Sequence, residues 1–353
     1  LTLIKHPVYI KVFLNTLEIS ISVTLICILF GYPIAYYLSD AKSNWATILL
    51  ISVLLPFWIS VLVRTYSWMI ILGRYGVVND ILMLLGWTSN PLKLMYNRFG
   101  VYVGMVYVML PFAILPMLSV MQGIDRNLIR AADNLGSTPW QSFWHVFFPL
   151  SIPGVGAALL LTFIRSTGFF VTPALMGGPR ETMIAISIQT QLEEVINWGF
   201  ASALSVVLLI IVLFLFFIYN HFLGIDLLWG DSQKSRIKFN KAESTPKKMG
   251  LLSRFRALLW NESWLSFKER LLWRVQDVIA EIRQNISRIS PRIFQKINWN
   301  KTGLSMMCAL VFLFLIIPVI IVVPIAFSND VYLQFPPKEW GFELLKNFFL
   351  SES

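Results

Sequence analysis

The chain has 353 residues, of which 56% are hydrophobic and only 14% charged, with a mean hydropathy of +0.67. That balance excludes one or two ordinary soluble domains and points to a membrane protein. The formal net charge of +10 looks like a nucleic-acid signal, yet residues 225–302 hold 16 of the 29 Lys/Arg against 7 of the 19 Asp/Glu. A basic block beside apolar runs marks the cytoplasmic side of a membrane and requires no nucleic acid.

The apolar runs come in chain order as Ile19 to Leu38, Ala46 to Val63, Phe99 to Ile124, Val146 to Ile164, Val195 to Asn220 and Thr302 to Asn329. Each has the roughly 18–25 residues that a hydrocarbon core demands. The fourth continues past the single charge of Arg165 to Pro179. The prediction is an all-α, polytopic membrane protein of about six transmembrane helices. With 225–302 in the cytoplasm, 14–38 runs inward, 47–72 outward, 100–121 inward, 152–173 outward, 201–224 inward and 303–326 outward. The loop 122–151, with Asp125, Arg126, Arg130, Asp133 and His145, then faces the cytoplasm, and 73–99, with Arg74, Lys93 and Arg98, faces out. Gly31, Pro33, Pro56, Gly104, Pro111, Pro116, Pro153, Gly154 and Gly156 fall inside the runs. Such residues are tolerated where neighbouring helices satisfy the freed backbone groups.

The basic block divides in two. Residues 231–249 read as a flexible linker. Trp264, Phe267, Leu271, Val275, Val278, Ile282, Ile286 and Ile289 recur at three- and four-residue steps with Arg270, Arg274, Arg283 and Arg288 off the stripe. This predicts an amphipathic helix over 262–290, lying either in the headgroup plane or against protein.

Several chemistries find no residues to carry them. Cys27 and Cys308 both sit in apolar runs, so no disulfide scaffold is available. His6, His145 and His221 are too scattered for a metal site. No Gly-x-x-x-x-Gly-Lys-Ser/Thr phosphate loop occurs in the chain, so the chain is not expected to be an enzyme and any ATP must be handled by a partner.

The loop 122–151 carries the most information. Ile129 to Leu135 forms a short helix with small residues at Ala131 and Ala132, Gly136 releases the backbone, and Ser137 or Thr138 caps a second helix that has Pro139 at its first position. The sequence Arg130-Ala131-Ala132-Asp133-Asn134-Leu135-Gly136, followed by nine residues and Val146-Phe147-Phe148-Pro149, resembles the Glu-Ala-Ala loop of binding-protein-dependent ABC importer permeases. Ala131, Ala132, Gly136 and Pro149 fall in register; Arg130 departs from the family's Glu. Gly31-Tyr32-Pro33-Ile34-Ala35-Tyr36, Leu55-Pro56-Phe57-Trp58, Val63-Arg64-Thr65-Tyr66, Tyr107-Val108-Met109-Leu110-Pro111-Phe112, Phe170-Val171-Thr172-Pro173-Ala174-Leu175-Met176-Gly177-Gly178 and Trp198-Gly199-Phe200-Ala201 look like the spermidine/putrescine-type members.

The resemblance implies a type I ABC importer permease fold in a bacterial plasma (inner) membrane. It implies passage of a polyamine-like solute handed over by an extracytoplasmic solute-binding protein, with ATP and magnesium held by a dimer of ABC ATPase subunits and no cofactor on this chain. The coupling residues it implies are Arg130, Ala131, Ala132, Asp133, Leu135, Gly136 and Pro149, with 127–140 docking into the ATPase. Other small solutes, such as an amino acid derivative, a metal ion or an anion, are served by related permeases, and a secondary transporter independent of ATPase is the alternative from another class. The match over 1–224 begins just before the family's second span, and 303–353 resembles a first span with the outer segment after it. The expectation is therefore part of a fusion of two permease units joined by the linker 225–302, or a permuted unit whose last span serves as the first.

Charged residues within membrane spans are functional candidates by default. Glu18, Arg64 and Arg165, with Tyr66, Trp68 and Thr167, form the candidate translocation path, and Glu18 is the acid available to pair with Arg165.

Overall fold

The computed structural model describes residues 7–40, 44–223, 299–325 and 341. The linker 231–249, the amphipathic helix 262–290 and the segment 326–340 lie outside the described residues. The described helices fall almost entirely in one compact unit assembled from residues 1–229 and 304–353.

The long helices are α1 (Pro7–Asp40), α5 (Arg98–Gln122), α8 (Phe148–Thr167), α11 (Trp198–Leu223) and α12 (Trp299–Ile325). Between them lie α2 (Asn44–Leu54), α3 (Val61–Leu72), α4 (Val77–Leu84), α6 (Arg126–Asn134), α7 (Pro139–Ser142), α9 (Val171–Met176) and α10 (Ile184–Glu193). No strand occurs among the described residues, and six helical segments are long and apolar enough to cross a membrane.

Helices α1, α5 and α8 pack on one another and make the core. Helix α5 is its axis: 67% of its most apolar window is buried, against 11% for α11. The difference follows from side-chain distribution. Val101, Met105, Met109, Ile114 and Met117 bury α5 on several sides. On α11, Val206, Leu209, Ile210, Leu213, Phe214 and Phe217 recur at helical spacing and are all more than half exposed, as a lipid-facing stripe requires. The α5–α8 approach is set by Gly154, where a Cβ would stand 2.9 Å from the Val120 Cβ and 3.2 Å from the Met117 Cα. Small residues allow such approach where no water drives helices together. Gly154→Leu is expected to cost about 1–3 kcal/mol by overpacking, read as a lower unfolding midpoint of the detergent-solubilised protein; an unchanged midpoint would contradict the contact.

Two expected spans are drawn differently. The outward segment 47–72 is broken: α2 ends at Leu54, Leu55–Trp58 form one 3-10 turn around Pro56, and α3 begins after Ser60. At 1.5 Å per residue, α2 and α3 are about 16 and 18 Å long, and the membrane-length segment on this stretch, Val61–Leu84, is made by α3 and α4 together. Within the break only Pro56 is buried, while Phe57 and Trp58 are exposed. The expected span 152–173 ends as a helix at Thr167; Gly168 follows, and α9 is a separate short helix. The helix over 303–325 is present, and its buried Cys308, Val311, Leu315 and Ile321 join the common core.

Asn79 is fully buried and organises the turn around α4. Its amide donates to the carbonyls of Gly73 at 2.9 Å and Leu92 at 3.1 Å, and its Oδ1 accepts from the Leu92 amide at 2.9 Å.

Candidate functional site

The loop 122–151 is built from three local devices. Asp125 caps α6, accepting from the Asn127 amide at 2.9 Å. The helix ends in a Schellman turn: Ser137 N–H donates to the Ala132 carbonyl at 3.1 Å and Gly136 N–H to that of Asp133 at 3.0 Å. Gly136 has φ +89° there, a backbone that L side chains rarely adopt. Thr138, rather than Ser137, then caps α7 through a capping box with Gln141, with Pro139 following it. The Asp133 carboxylate accepts from the Ser142 hydroxyl at 2.5 Å, tying α6 to α7.

Tertiary contacts hold this double turn to the bundle. Arg126 donates to the Ser39 hydroxyl at 2.7 Å, lies 3.7 Å from the Asp40 carboxylate and stands 4.9 Å above the Phe147 ring. Tyr36 meets Phe147 and Phe143 edge-on at 4.8 and 5.3 Å, and Tyr32 bonds Ser151 at 2.9 Å. Sequence reasoning left Arg126 out of the site. The signal was present in the aromatic stripe Trp140, Phe143, Trp144, Phe147 and Phe148, whose spacing marks one helical face.

With the loop anchored from beneath, its far side is open. α6 has no buried residue. Leu135 is 88% exposed and Trp140 57%, and Leu128 and Trp144 are also exposed. Four large apolar side chains thus stand exposed on one polar double turn. Arg130 is exposed, and no acid of the described residues lies within ion-pair distance of it. Pro149 is the second residue of α8, where a missing amide hydrogen costs no helical bond.

The six path candidates do not converge on one cavity among the described residues. Glu18 pairs with Arg98, not with Arg165. Arg98 also donates to Asn15 at 2.9 Å, so this ion pair ties the first residue of α5 to the N-terminal half of α1. Arg165 is exposed and lies 3.9 Å over the Phe112 ring. Tyr66 is 40% exposed. Thr167 is buried and donates to the Phe163 carbonyl. Trp68 is buried in an aromatic cluster, 5.8 Å from Tyr107 and 5.0 Å from Phe314 of α12, while the Tyr107 hydroxyl donates to the Leu315 carbonyl at 3.3 Å. Arg64, one turn before Trp68, is only 7% exposed, and its Nε has no hydrogen-bond partner. A groove of about 550 Å³ at the outer end of α1, lined by Lys11, Asn15, Arg180 and Thr182, contains none of the six.

Six membrane-length helical segments, packed closely at a small-residue contact and carrying an exposed double turn, define a polytopic α-helical membrane protein. Residues 19–223 match the profile of the family described as "Binding-protein-dependent transport system inner membrane component". The chain belongs to that family, the multi-pass inner-membrane permease component of ABC importers, and this component is not itself catalytic. It is 36% identical over 214 residues to the spermidine/putrescine transport system permease protein PotB of Haemophilus influenzae, covering 61% of this chain and 75% of the relative. Identity to the Escherichia coli PotB is 33% over 218 residues, covering 62% and 79%. A probable sulfate transport system permease protein of Prototheca wickerhamii is 27% identical over 217 residues, covering 61% and 83%. A chain of a bacterial alginate ABC transporter, crystallised with an alginate pentasaccharide-bound periplasmic protein, superimposes with TM-score 0.55 at 21% identity, covering 64% of this chain and 80% of the other, which shows the fold.

Proposed function

We propose that this chain is the membrane-embedded part of an ATP-driven importer that admits a polyamine-like solute delivered by an extracytoplasmic binding protein. Partner ATPase subunits hold ATP and magnesium, and the loop 122–151 carries their motion into the spans. The supporting observation is the exposed apolar face Leu128, Leu135, Trp140 and Trp144 on a double turn that Arg126 ties to α1. A rigid knob of this kind transmits displacement, where a flexible loop would absorb it. The polyamine assignment follows the PotB relatives, and a different small polar solute is the second reading, favoured by the sulfate relative.

A photo-cross-linking residue placed at Leu135 is expected to capture an ATPase subunit in membranes from cells carrying the whole transporter, and one at Leu213 on the lipid stripe is expected to capture none. Absence of ATPase adducts at Leu135 and Trp140 in fully inserted protein would overturn the docking role.

A further inference from the structure

Helix α12 lies outside the family match, which ends at residue 223. From sequence it either opens a second permease unit or completes the one formed by the preceding helices. Its packing favours the second. Cys308, Val311, Leu315, Pro318 and Ile321 are buried at three- and four-residue steps, which is one helical face. Met306, Leu310, Leu313 and Ile320 are more than half exposed on the remainder. A helix that only crossed the bilayer beside this bundle would be exposed all round. Yet 28% of the α12 window is buried, against 11% for α11, which the family match includes.

The seat is specific as well as apolar. Phe314 meets Trp68 of α3 at 5.0 Å and Tyr107 of α5 at 5.7 Å, and those two rings meet each other at 5.8 Å. Trp68 is 6% exposed and Tyr107 fully buried. A buried phenol needs a hydrogen-bond partner, and the one Tyr107 has among the described residues is the Leu315 carbonyl, at 3.3 Å. Pro318 lacks the amide hydrogen that would bond the Phe314 carbonyl, so this turn of α12 is short of one donor. The Tyr107 hydroxyl supplies a donor at the adjacent carbonyl. In lipid, helices are held together by such packing and hydrogen bonds rather than by expulsion of water.

We propose that the Trp68–Tyr107 face is a docking site for a transmembrane helix, that α12 of the same chain is its occupant, and that residues 7–223 and 303–325 therefore make one permease unit. The contact, not the covalent connection, keeps α12 in place, and 225–302 acts as its tether. This holds whatever the solute and whatever docks on the loop 122–151.

The test uses the full chain with a protease site inserted between residues 231 and 249 and an affinity tag before residue 1. After cleavage in mild detergent, the part beyond the cut is expected to stay with the tagged part. Phe314→Ala is expected to lower the retained fraction at least about fivefold, and Tyr107→Phe, which removes one hydroxyl and no other volume, at least about twofold. Leu313→Ala, on the exposed face, leaves it within about 1.5-fold. Each variant is cut only after it elutes as a monodisperse full chain, so that loss reports the contact. Release of the wild-type part on cleavage overturns the proposal, and so does retention that Phe314→Ala and Tyr107→Phe leave unchanged. Recovery of the cut part on a co-expressed second chain, without its own bundle, makes another copy the partner and overturns the one-unit reading.

Discussion

Gly136→Val is expected to lower ATP-driven uptake at least about tenfold while the chain still inserts in the membrane. A Cβ at Gly136 would meet nothing within 4 Å, so steric clash is not the cause. The backbone is. At φ +89° Gly136 donates to the Asp133 carbonyl and turns the chain so that Ser137 N–H reaches that of Ala132, closing the Schellman turn. Side chains other than glycine cost about 1–2 kcal/mol in left-handed conformations, and β-branched ones more. Helix α6 has nine residues and no buried side chain, which leaves it little stability of its own to absorb that strain. The turn therefore opens, and Leu135 and Trp140 lose their relative placement. Gly136→Asn, whose side chain tolerates left-handed backbone, is expected to keep most of the uptake. Equal uptake by the valine and asparagine variants would contradict the strain account.

Arg126→Ala is expected to uncouple hydrolysis from transport, reducing solute moved per ATP hydrolysed at least about fivefold. Its strongest contact is the charge-assisted bond to Ser39, worth about 1.5–3 kcal/mol, with the Phe147 ring adding about 0.5–1 kcal/mol. The Asp40 partner is 73% exposed and adds little. Losing these contacts leaves the proposed docking surface chemically intact but loosely attached to α1. ATPase association should then persist while transport falls, and Arg126→Lys should recover part of the coupling. Joint loss of association and transport would instead place Arg126 in the docking surface itself.

The spans were legible because each carries about 20 apolar residues with few charges. The coupling loop was legible for a local reason: Gly136, Thr138 and Pro139 dictate turn and cap through their own backbone chemistry. Features set by distant partners were not legible. Pro56 lies in a run that reads as one continuous span, and only the lengths of α2 and α3 reveal the break. Glu18 was available to Arg165 by sequence, but the fold brings it to Arg98, 80 positions along the chain. Trp68 had the profile of a path residue, yet Tyr107 and Phe314 enclose it. The end of α8 at Thr167 is marked only by Gly168, one glycine among several that the spans tolerate.

The central claim is ATP-driven passage through this chain, tested most directly by uptake of labelled putrescine into vesicles containing the whole transporter, its binding protein and ATPase subunits. The account predicts accumulation that requires both ATP hydrolysis and the binding protein and that disappears in Gly136→Val. Accumulation that continues without ATP, driven by an ion gradient and unaffected by Gly136→Val, would contradict it.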